Sequence, residues 1–247
     1  MADLFLSVVV PAYNESPRIG PTLEKILAYL RRQSYEAEIV VVDDGSRDRT
    51  GELVRALAAS HPEIRLLANS VNRGKGAAVR QGVLDSQGKW VLFSDADLST
   101  PIEEVEKLLA AVERDRAVAA VGSRALRREL IGVHQPLLRE WSGRFFNVLV
   151  RLATGLKIHD TQCGFKLFHR RATRVAFLLQ TSQGFGFDPE LLYLVQLHAG
   201  RIVEIPVRWD NSPATKVRFL RDSLLMLLDL LRLCRNRWQG RYRPRRA

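Results

Sequence analysis

The sequence has little cysteine, with only Cys163 and Cys234 in 247 residues. Two cysteines cannot build the disulfide framework that holds small secreted domains together. No signal-peptide pattern opens the chain either, because the apolar residues 4–10 run directly into Pro11 without a positively charged segment before them. These features predict a protein of the reducing cytoplasm, in which each cysteine is a small core residue rather than a metal or redox group.

Long uninterrupted apolar runs are absent as well. The most leucine-rich stretch, residues 218–236, is broken by Arg221, Asp222, Asp229 and Arg232, so it falls short of the roughly 18 uncharged residues that a membrane span needs. At about 100° per residue, the polar side chains fall on one arc of a helix and leucines cover the rest. The pattern predicts a helix that lies in a membrane interface, with packing on the protein's own core or on a second subunit as the alternatives.

Acidic residues are scarce at the end of the chain. Lysine and arginine total 38 against 27 aspartates and glutamates, a net charge of +11. Such an excess suits nucleic acid, an anionic membrane or phosphate-bearing substrates. No zinc-ligand spacing, recognition helix or aromatic RNA-binding signature accompanies it, which argues against nucleic acid. The acid-free tail predicts peripheral binding to the inner face of a membrane; its arginines are Arg232, Arg235, Arg237, Arg241, Arg243, Arg245 and Arg246.

Short apolar runs alternate with segments of helical period in the first half of the chain. Capping signals mark the helix starts, for instance Thr100 with Glu103 three residues later. The pattern predicts an α/β fold with a mostly parallel central sheet flanked by helices. We expect one domain over residues 1–215 and a membrane-associating helix and basic tail over residues 216–247. The predicted strands are residues 6–11, 38–43, 64–68, 89–95 and 118–123, and the predicted helices are residues 17–32, 48–60, 74–86 and 101–114.

Polar loops follow the first two predicted strands. Ligands of parallel sheets bind beyond the carboxyl ends of the strands, so these loops are candidates for a binding site. Their oxygen acceptors and a tyrosine ring are suited to a nucleoside. The alternative is a pair of turns that cap the following helices. The candidate residues are Pro11, Ala12, Tyr13, Asn14, Glu15, Asp43, Asp44, Gly45 and Ser46.

A glycine-containing loop follows the third predicted strand. Gly74 and Gly76 permit close backbone approach, a helix amino terminus comes next, and Arg73 and Lys75 add positive charge. These features predict a loop that faces phosphate. The loop lacks the glycine spacing and the Lys-Ser/Thr pair of an NTPase motif. A plain basic turn is the alternative.

Two carboxylates stand one residue apart after the fourth predicted strand, at Asp95 and Asp97, with Ala96 between them. Ionised carboxylates this close repel each other unless a cation or hydrogen-bond donors neutralise them. Carboxylate oxygens are the ligands that Mg²⁺ and Mn²⁺ prefer, and a metal held here would also contact a diphosphate. The pair therefore predicts a site for Mg²⁺ or Mn²⁺.

These loops, in this order, resemble those of the family-two glycosyltransferases of the GT-A, or nucleotide-diphospho-sugar transferase, fold. Residues 122–124, 160–168 and 187–192 are similar to segments of the dolichyl-phosphate glucosyltransferases and, less closely, of the dolichyl-phosphate mannosyltransferases. The resemblance covers residues 6–216. It implies an inverting transfer of glucose from UDP-glucose to a polyprenyl phosphate at a membrane surface. The sequence leaves open whether the protein self-associates.

The resemblance also implies roles for individual residues. The donor-binding set consists of the two nucleoside loops together with Arg73, Gly74, Lys75, Asp95 and Ala96, and the metal ligands are Asp95 and Asp97. Arg124 and Arg139 would hold the acceptor phosphate. Asp160, Gln162, Asp188 and Glu190 would lie near the sugar or the acceptor, with structural hydrogen bonding as their alternative. The catalytic set is thus Asp97, Arg124, Arg139, Asp160, Gln162 and Asp188.

One position departs from the mannosyl branch, which usually has glutamine where this chain has Ser99. The difference favours glucose as the transferred sugar and leaves a third protein ligand of the metal open. The amino-terminal membrane helix of the eukaryotic glucosyl enzymes is not found in the sequence. The alternatives are transfer of mannose from GDP-mannose, a hydroxyl group of a sugar or protein as acceptor, and a non-catalytic protein that binds nucleotide-sugars.

Overall fold

The computed structural model describes residues 4–133, 137–211 and 219–243, and the side chains of residues 137–140 and 219–220 lie outside the description. The strands are β1 (Leu6–Ala12), β2 (Ala37–Asp43), β3 (Ile64–Ala68), β4 (Trp90–Ser94), β5 (Ala119–Ser123), β6 (Ile131–Val133), β7 (Phe165–His169), β8 (Ile202–Pro206) and β9 (Trp209–Asp210). The helices are α1 (Ile19–Leu30), α2 (Thr50–Ser60), α3 (Lys75–Asp85), α4 (Val105–Arg114), α5 (Leu137–Thr154), α6 (Arg170–Leu179), α7 (Phe187–His198) and α8 (Phe219–Trp238).

A seven-stranded sheet in the order β3-β2-β1-β4-β7-β5-β8 forms the centre of the fold. Its pairs are parallel except those of β7, which runs antiparallel to both β4 and β5. Every strand predicted from the sequence is present in this sheet, so the α/β fold class is confirmed. The chain reverses its strand order between β1 and β4, and the predicted loops lie at that carboxyl edge, where open sheets bind ligands.

Both faces of the sheet are buried. Side chains alternate between the faces along each strand, so Val8 and Val10 join one hydrophobic core while Val9 joins the other. The first core is completed by α1, α2 and α4, and the second by α3, α5, α6, α7 and α8. Burial on both faces explains why the strands read as continuous apolar runs rather than as alternating patterns.

The start of α4 differs from the sequence-based expectation. A short 3₁₀ turn at Ile102–Glu104 precedes the helix, and neither element has a side-chain cap. The predicted capping box between Thr100 and Glu103 is therefore wrong. Thr100 is buried, and Glu103 instead approaches Arg32, two residues after the end of α1, at 3.9 Å.

Helix α8 packs on the domain through α5 and α7, and it buries Leu230, Leu233 and Asn236. The chain then turns, and Tyr242 is buried in the second core. Leucines such as Leu224 and Leu231 remain exposed on the opposite side of the helix. Within the described ranges no helix is both long enough and apolar enough to cross a bilayer.

Candidate active site

The loops after β1 and β2 are joined by hydrogen bonds. Asn14, which has a φ of 53°, donates its backbone N–H to Ser46 Oγ at 2.8 Å. Its side-chain Oδ1 accepts from the backbone N–H of Arg47 at 2.7 Å. The N–H of Glu15 donates to Thr50 Oγ1 at 2.7 Å. The structure therefore brings the predicted nucleoside loops together as one wall, because parallel pairing of β1 with β2 sets Ala12 beside Asp43.

The adjacent aspartates at the end of β2 hold different parts of the structure. Asp43 accepts the N–H of Ser46 at 3.0 Å within its own loop. Asp44 is buried and accepts the backbone N–H groups of Arg73 at 3.0 Å and Gly74 at 2.7 Å. A third donor to Asp44 is Asn69 Nδ2 at 3.1 Å. Asp44 thus fixes the glycine loop, as a carboxylate bonded to main-chain donors can.

The amino terminus of α3 is occupied by protein groups. Gly76 donates its N–H to the carbonyl of Gly184 at 3.3 Å, and Ala77 donates to Gln183 at 3.1 Å. These two amides are therefore taken by carbonyls of a second loop, so the predicted contact of this loop with phosphate would rest on its side chains. Gly74 has a φ of 103°, and a Cβ there would lie 2.5 Å from the carbonyl oxygen of Gln183. What the loop offers to a ligand is positive charge from the side chains of Lys75 and Arg73, the latter exposed.

Lys75 reaches across the site to the end of β4. Its Nζ lies 2.6 Å from Asp95 Oδ1 and 5.3 Å from the centre of the Phe93 ring. Burial alone would lower the pKa of Lys75, but the negative charges of Asp95 and Asp188 raise it above its ordinary value. Lys75 therefore carries a full positive charge beside the predicted metal-binding carboxylates.

Asp95 and Asp97 lie on one tight turn, and both carboxylates are partly exposed. The backbone N–H of Leu98 donates to the Asp95 carbonyl at 3.2 Å, and Leu98 adopts a φ of 46°. Asp97 Oδ1 accepts the N–H of Ser99 at 3.0 Å, while its Oδ2 lies 4.0 Å from a guanidinium nitrogen of Arg18. A Cβ at Gly164, just before β7, would lie 1.9 Å from Asp95 Oδ2, so a larger residue there would displace this carboxylate.

The donor set of this turn fits a hard divalent cation. In the described parts of the chain no group of three or more His, Cys, Asp or Glu side chains is placed to hold a metal. Mg²⁺ commonly uses one or two carboxylates and takes its other ligands from water and substrate phosphates. Asp95 and Asp97 match that pattern. Ser99 is engaged through its backbone, because its carbonyl accepts the N–H of Asp210 at 2.8 Å.

Arg124 and Asp160, to which the resemblance gave separate roles, form one ion pair. Arg124 Nε donates to Asp160 Oδ2 at 2.7 Å, Nη2 donates to Oδ1 at 2.8 Å, and the Arg124 backbone N–H donates at 2.9 Å. Asp160 is buried, which would raise its pKa, yet the charge of Arg124 lowers the pKa of Asp160 below its ordinary value. The guanidinium also lies 5.3 Å from the Trp209 ring. Asp160 therefore orients Arg124 at the edge of the site.

The remaining predicted catalytic residues are less closely grouped. Gln162 is half-buried, and its Nε2 lies 3.7 Å from the sulfur of Met226 on α8. Arg139 belongs to the first turn of α5, and its side chain lies outside the described residues. Tyr13 is half-buried beside the nucleoside wall.

Lys166, which no sequence motif indicated, lies next to the candidate site. Its side chain is fully buried, and its Nζ donates to Asp188 Oδ1 at 2.6 Å and to the carbonyl of Cys163 at 2.5 Å. The ammonium also lies 5.5 Å from the centre of the Phe93 ring. The sequence signal for this residue is a lysine inside the otherwise apolar run of residues 165–168. Such a lysine is expected to be buried, and a buried charge requires a partner.

The carboxylate of Glu190 is bonded to protein donors. Its buried carboxylate accepts from the backbone N–H groups of Thr181 at 2.9 Å and Ser182 at 2.7 Å. The hydroxyl groups of Thr181 and Tyr242 also donate to it, each at 2.6 Å. These four protein donors favour the structural alternative for Glu190 over contact with sugar or acceptor.

The chain is similar to known proteins over most of its length. Residues 7–177 match the model of Glycosyl transferase family 2. A dolichyl-phosphate beta-glucosyltransferase of Trichomonas vaginalis is 40% identical over 241 residues, which cover 94% of this chain and 71% of the relative. The enzyme of that name from Saccharomyces cerevisiae is 36% identical over 247 residues, covering 93% of this chain and 74% of its own length.

Solved structures share the fold at lower identity. A mannosyl-3-phosphoglycerate synthase from Rubrobacter xylanophilus superposes with a TM-score of 0.69 at 20% identity, covering 99% of this chain and 77% of its own. A glucosyl-3-phosphoglycerate synthase from Mycobacterium tuberculosis, in complex with Mn²⁺, UDP-glucose and phosphoglyceric acid, gives a TM-score of 0.64 at 20% identity, covering 94% of this chain and 80% of its own. At this identity the likeness establishes the fold alone.

Proposed function

Because the chain belongs to glycosyltransferase family 2, we propose that it transfers glucose from UDP-glucose to a polyprenyl phosphate of the dolichyl type, with inversion at the anomeric carbon. The observation that carries the proposal is the meeting of Lys75, Asp95 and Asp97 beside the wall formed by the loops after β1 and β2. The relatives named dolichyl-phosphate beta-glucosyltransferase support this donor and acceptor, since they align over more than nine-tenths of the chain.

The donor is proposed to lie along the carboxyl edge of the sheet. Residues 11–15 and 43–46 would hold the nucleoside, because their loops form one hydrogen-bonded wall. Lys75 and Arg73 would face the diphosphate. A structural neighbour with UDP-glucose and Mn²⁺ is consistent with this arrangement.

Asp95 and Asp97 would hold Mg²⁺ or Mn²⁺, which would supply charge stabilisation to the departing diphosphate. Lys75 adds a fixed positive charge on the same side, and Arg18 balances the charge of Asp97 from the other side. A charge held in place before the reaction needs no reorganisation when the leaving group becomes more negative. The protein's own contribution is therefore electrostatic and positional.

Arg124 is proposed to hold the acceptor phosphate, with Arg139 as a second candidate. Asp160 uses Nε and Nη2 of the guanidinium, which orients the group and leaves its other edge for the acceptor. A lipid phosphate is already an anion near neutral pH, so its attack on the anomeric carbon needs little help from a general base. The chemistry then depends on bringing the phosphate and the sugar together.

An exposed apolar surface on α5 and α8 supports binding at a membrane. The two helices pack together, and the basic side chains of Arg235, four residues after the exposed Leu231, and of Arg241, in the turn after α8, are exposed. Apolar side chains beside arginine suit the interface of an anionic bilayer. We therefore extend the proposal to peripheral association with the cytoplasmic leaflet. The exposed apolar residues are Trp141, Phe145, Val148 and Leu152 on α5, and Leu224, Leu225, Leu227, Leu228, Leu231 and Trp238 on α8.

The reaction is tested by release of the nucleoside diphosphate from purified enzyme given a short-chain polyprenyl phosphate. UDP-glucose and GDP-mannose are compared as donors, and polyprenyl phosphate is compared with the free alcohol. We expect turnover only with UDP-glucose and the phosphate, and loss of turnover in a chelator or in Asp97→Asn. Faster turnover of GDP-mannose would overturn the donor assignment while leaving the family unchanged.

Membrane association is tested by flotation with vesicles that contain anionic lipid. The double variant Leu228→Glu/Leu231→Glu places charges on the apolar face of α8, and we expect it to stay at the bottom of the gradient while the unaltered chain floats. Leu178→Glu on α6 is the matched control, because Leu178 is also an exposed helical leucine but lies outside the α5 and α8 surface. Flotation of both variants would refute the assigned surface.

A further inference from the structure

A second loop supports the glycine loop from behind. Residues 180–184, between α6 and α7, accept hydrogen bonds from the N–H groups of Gly76 and Ala77 through the carbonyls of Gly184 and Gln183. In return Gln180 Nε2 donates to the carbonyl of Gly76 at 3.0 Å. The backbone position of Lys75, and hence the reach of its ammonium, therefore depends on this supporting loop.

The supporting loop is in turn held by Glu190 of α7. The Glu190 carboxylate binds the N–H groups of Thr181 and Ser182 and the hydroxyl of Thr181. Because Glu190 is buried, its charge is stabilised mainly by these donors. Removal of a donor would leave lone pairs of a buried carboxylate unpaired, so the side chain would have to shift toward other donors. Any such shift moves the loop that it holds.

One of the donors to Glu190 comes from the far end of the chain. Tyr242 is buried and donates its hydroxyl to Glu190 Oε1 at 2.6 Å. Asn236 of α8 donates through Nδ2 to the same hydroxyl oxygen at 3.3 Å. The backbone carbonyl of Tyr242 lies 2.7 Å from His198 Nε2, which fixes the turn after α8 against α7. The carboxyl-terminal segment is thereby connected to the donor side of the site.

We propose that Tyr242 is a positioning residue for donor binding, acting through Glu190 and residues 181–184 on the loop that carries Lys75. The proposal rests on the proposed function at one point, namely that this loop faces the diphosphate of the donor. Among the described residues, Tyr242 forms hydrogen bonds with Glu190, Asn236 and His198, which lie outside the predicted donor site. Its effect is confined to the placement of the Lys75 loop, so it should alter the affinity for the donor and leave the affinity for the acceptor unchanged.

The test replaces the hydroxyl alone. Tyr242→Phe keeps the ring in the core, and Tyr29→Phe is the matched control, since Tyr29 is also buried and also donates to a glutamate, Glu106, at 3.3 Å on the opposite face of the sheet. UDP affinity is measured by calorimetry with Mn²⁺ present, and KM is measured for UDP-glucose and for the polyprenyl phosphate. We expect Tyr242→Phe to weaken UDP binding and raise the donor KM by about fivefold. The acceptor KM should be unaffected, and Tyr29→Phe should leave both constants unaltered.

A second readout does not depend on the activity. Hydrogen exchange at the amides of Gly76 and Ala77 should be faster in Tyr242→Phe than in Tyr29→Phe, because these amides are protected by the loop that Glu190 holds. Equal exchange and equal UDP affinity in the two variants would overturn the proposal. Failure of the unaltered chain to bind UDP would instead refute the proposed function. Glu190→Gln, which retains the shape of the side chain, should reproduce both effects of Tyr242→Phe.

Discussion

Two lysine–aspartate pairs lie about the same aromatic ring and differ in their access to solvent. Lys75 and Lys166 place their ammonium groups 5.3 Å and 5.5 Å from the centre of the Phe93 ring. The Lys75–Asp95 and Lys166–Asp188 contacts are both 2.6 Å long. The side chains of the first pair are 23% and 33% exposed, whereas those of the second are 0% and 7% exposed. We refer to them as the outer pair and the inner pair.

The difference in exposure predicts that a ligand can replace the contact of the outer pair, whereas the fold requires that of the inner pair. Solvent reaches the outer pair, so a bound diphosphate or metal ion would take over either charge at small cost. The inner pair has no such substitute. Burial raises the pKa of Asp188 above its ordinary value although Lys166 lies beside it, which shows how strongly the interior disfavours the charge. Equal distances therefore do not imply equal roles.

The largest expected effect comes from breaking the inner pair on one side. Asp188→Ala leaves the ammonium of Lys166 buried without its partner, and we expect the free energy of unfolding to fall by about 3–5 kcal/mol. Urea denaturation followed by circular dichroism measures the change. The double variant Lys166→Met/Asp188→Leu removes both charges and should recover most of the loss. A single variant as stable as the unaltered protein would mean that the inner pair is not essential to the fold.

A smaller effect on stability, with a large effect on activity, is expected for the outer pair. Lys75→Met should change the free energy of unfolding by less than about 1 kcal/mol, because the pair is partly exposed. Glucose transfer should fall by about 100-fold, as expected when one preorganised charge is removed from the leaving-group side. Lys75→Arg keeps the charge and should retain more activity. A stability loss as large as that of Asp188→Ala would contradict the distinction between the pairs.

The smallest effect concerns the reactivity of Cys163, the cysteine that contacts Lys166 of the inner pair. Burial raises the pKa of the Cys163 thiol to about 12, and its carbonyl accepts from Lys166. At pH 8 very little of Cys163 is therefore present as the reactive thiolate, and the residue is buried. Cys234 on α8 is only half-buried, so a reagent can reach it. Iodoacetamide should label Cys234 in the folded protein and Cys163 only in denaturant, as read by peptide mass spectrometry. Rapid labelling of Cys163 without denaturant would show that the structure around the inner pair unfolds locally and often.

The first half of the molecule could be predicted well from its sequence. The strands alternate with helices there, and the loops after β1, β2 and β4 meet because parallel strands carry their carboxyl ends to one edge. Local patterns are sufficient in this region, since each polar loop directly follows an apolar strand. The main exception is the amino terminus of α3, whose amides are taken by residues 183 and 184, far away in the sequence.

The structure of the second half depends on contacts between residues far apart in the sequence, which local sequence patterns do not predict. Strand β7 enters the sheet antiparallel between β4 and β5, and this insertion brings Lys166 beside Phe93. The packing of helix α8 also depends on such distant contacts. Its periodicity was predicted, but the helix buries Asn236 and leaves Leu224 and Leu231 exposed, so the inward face is partly polar. Asn236 Nδ2 donates to the hydroxyl of Tyr242, a contact that requires the chain after α8 to fold back.

The sequence by itself determined the fold class, the edge of the sheet that carries the site, and the positions of Asp95 and Asp97, because these follow from hydrophobic periodicity and from the chemistry of neighbouring residues. Only the tertiary structure decided which charges are paired. More than 20 positions along the chain separate the partners in each of three pairs, which are Arg124 with Asp160, Lys166 with Asp188, and Tyr242 with Glu190. A charged group that becomes buried loses its hydration and must be paired with a group of the protein. This requirement arises only when the distant segments have packed together.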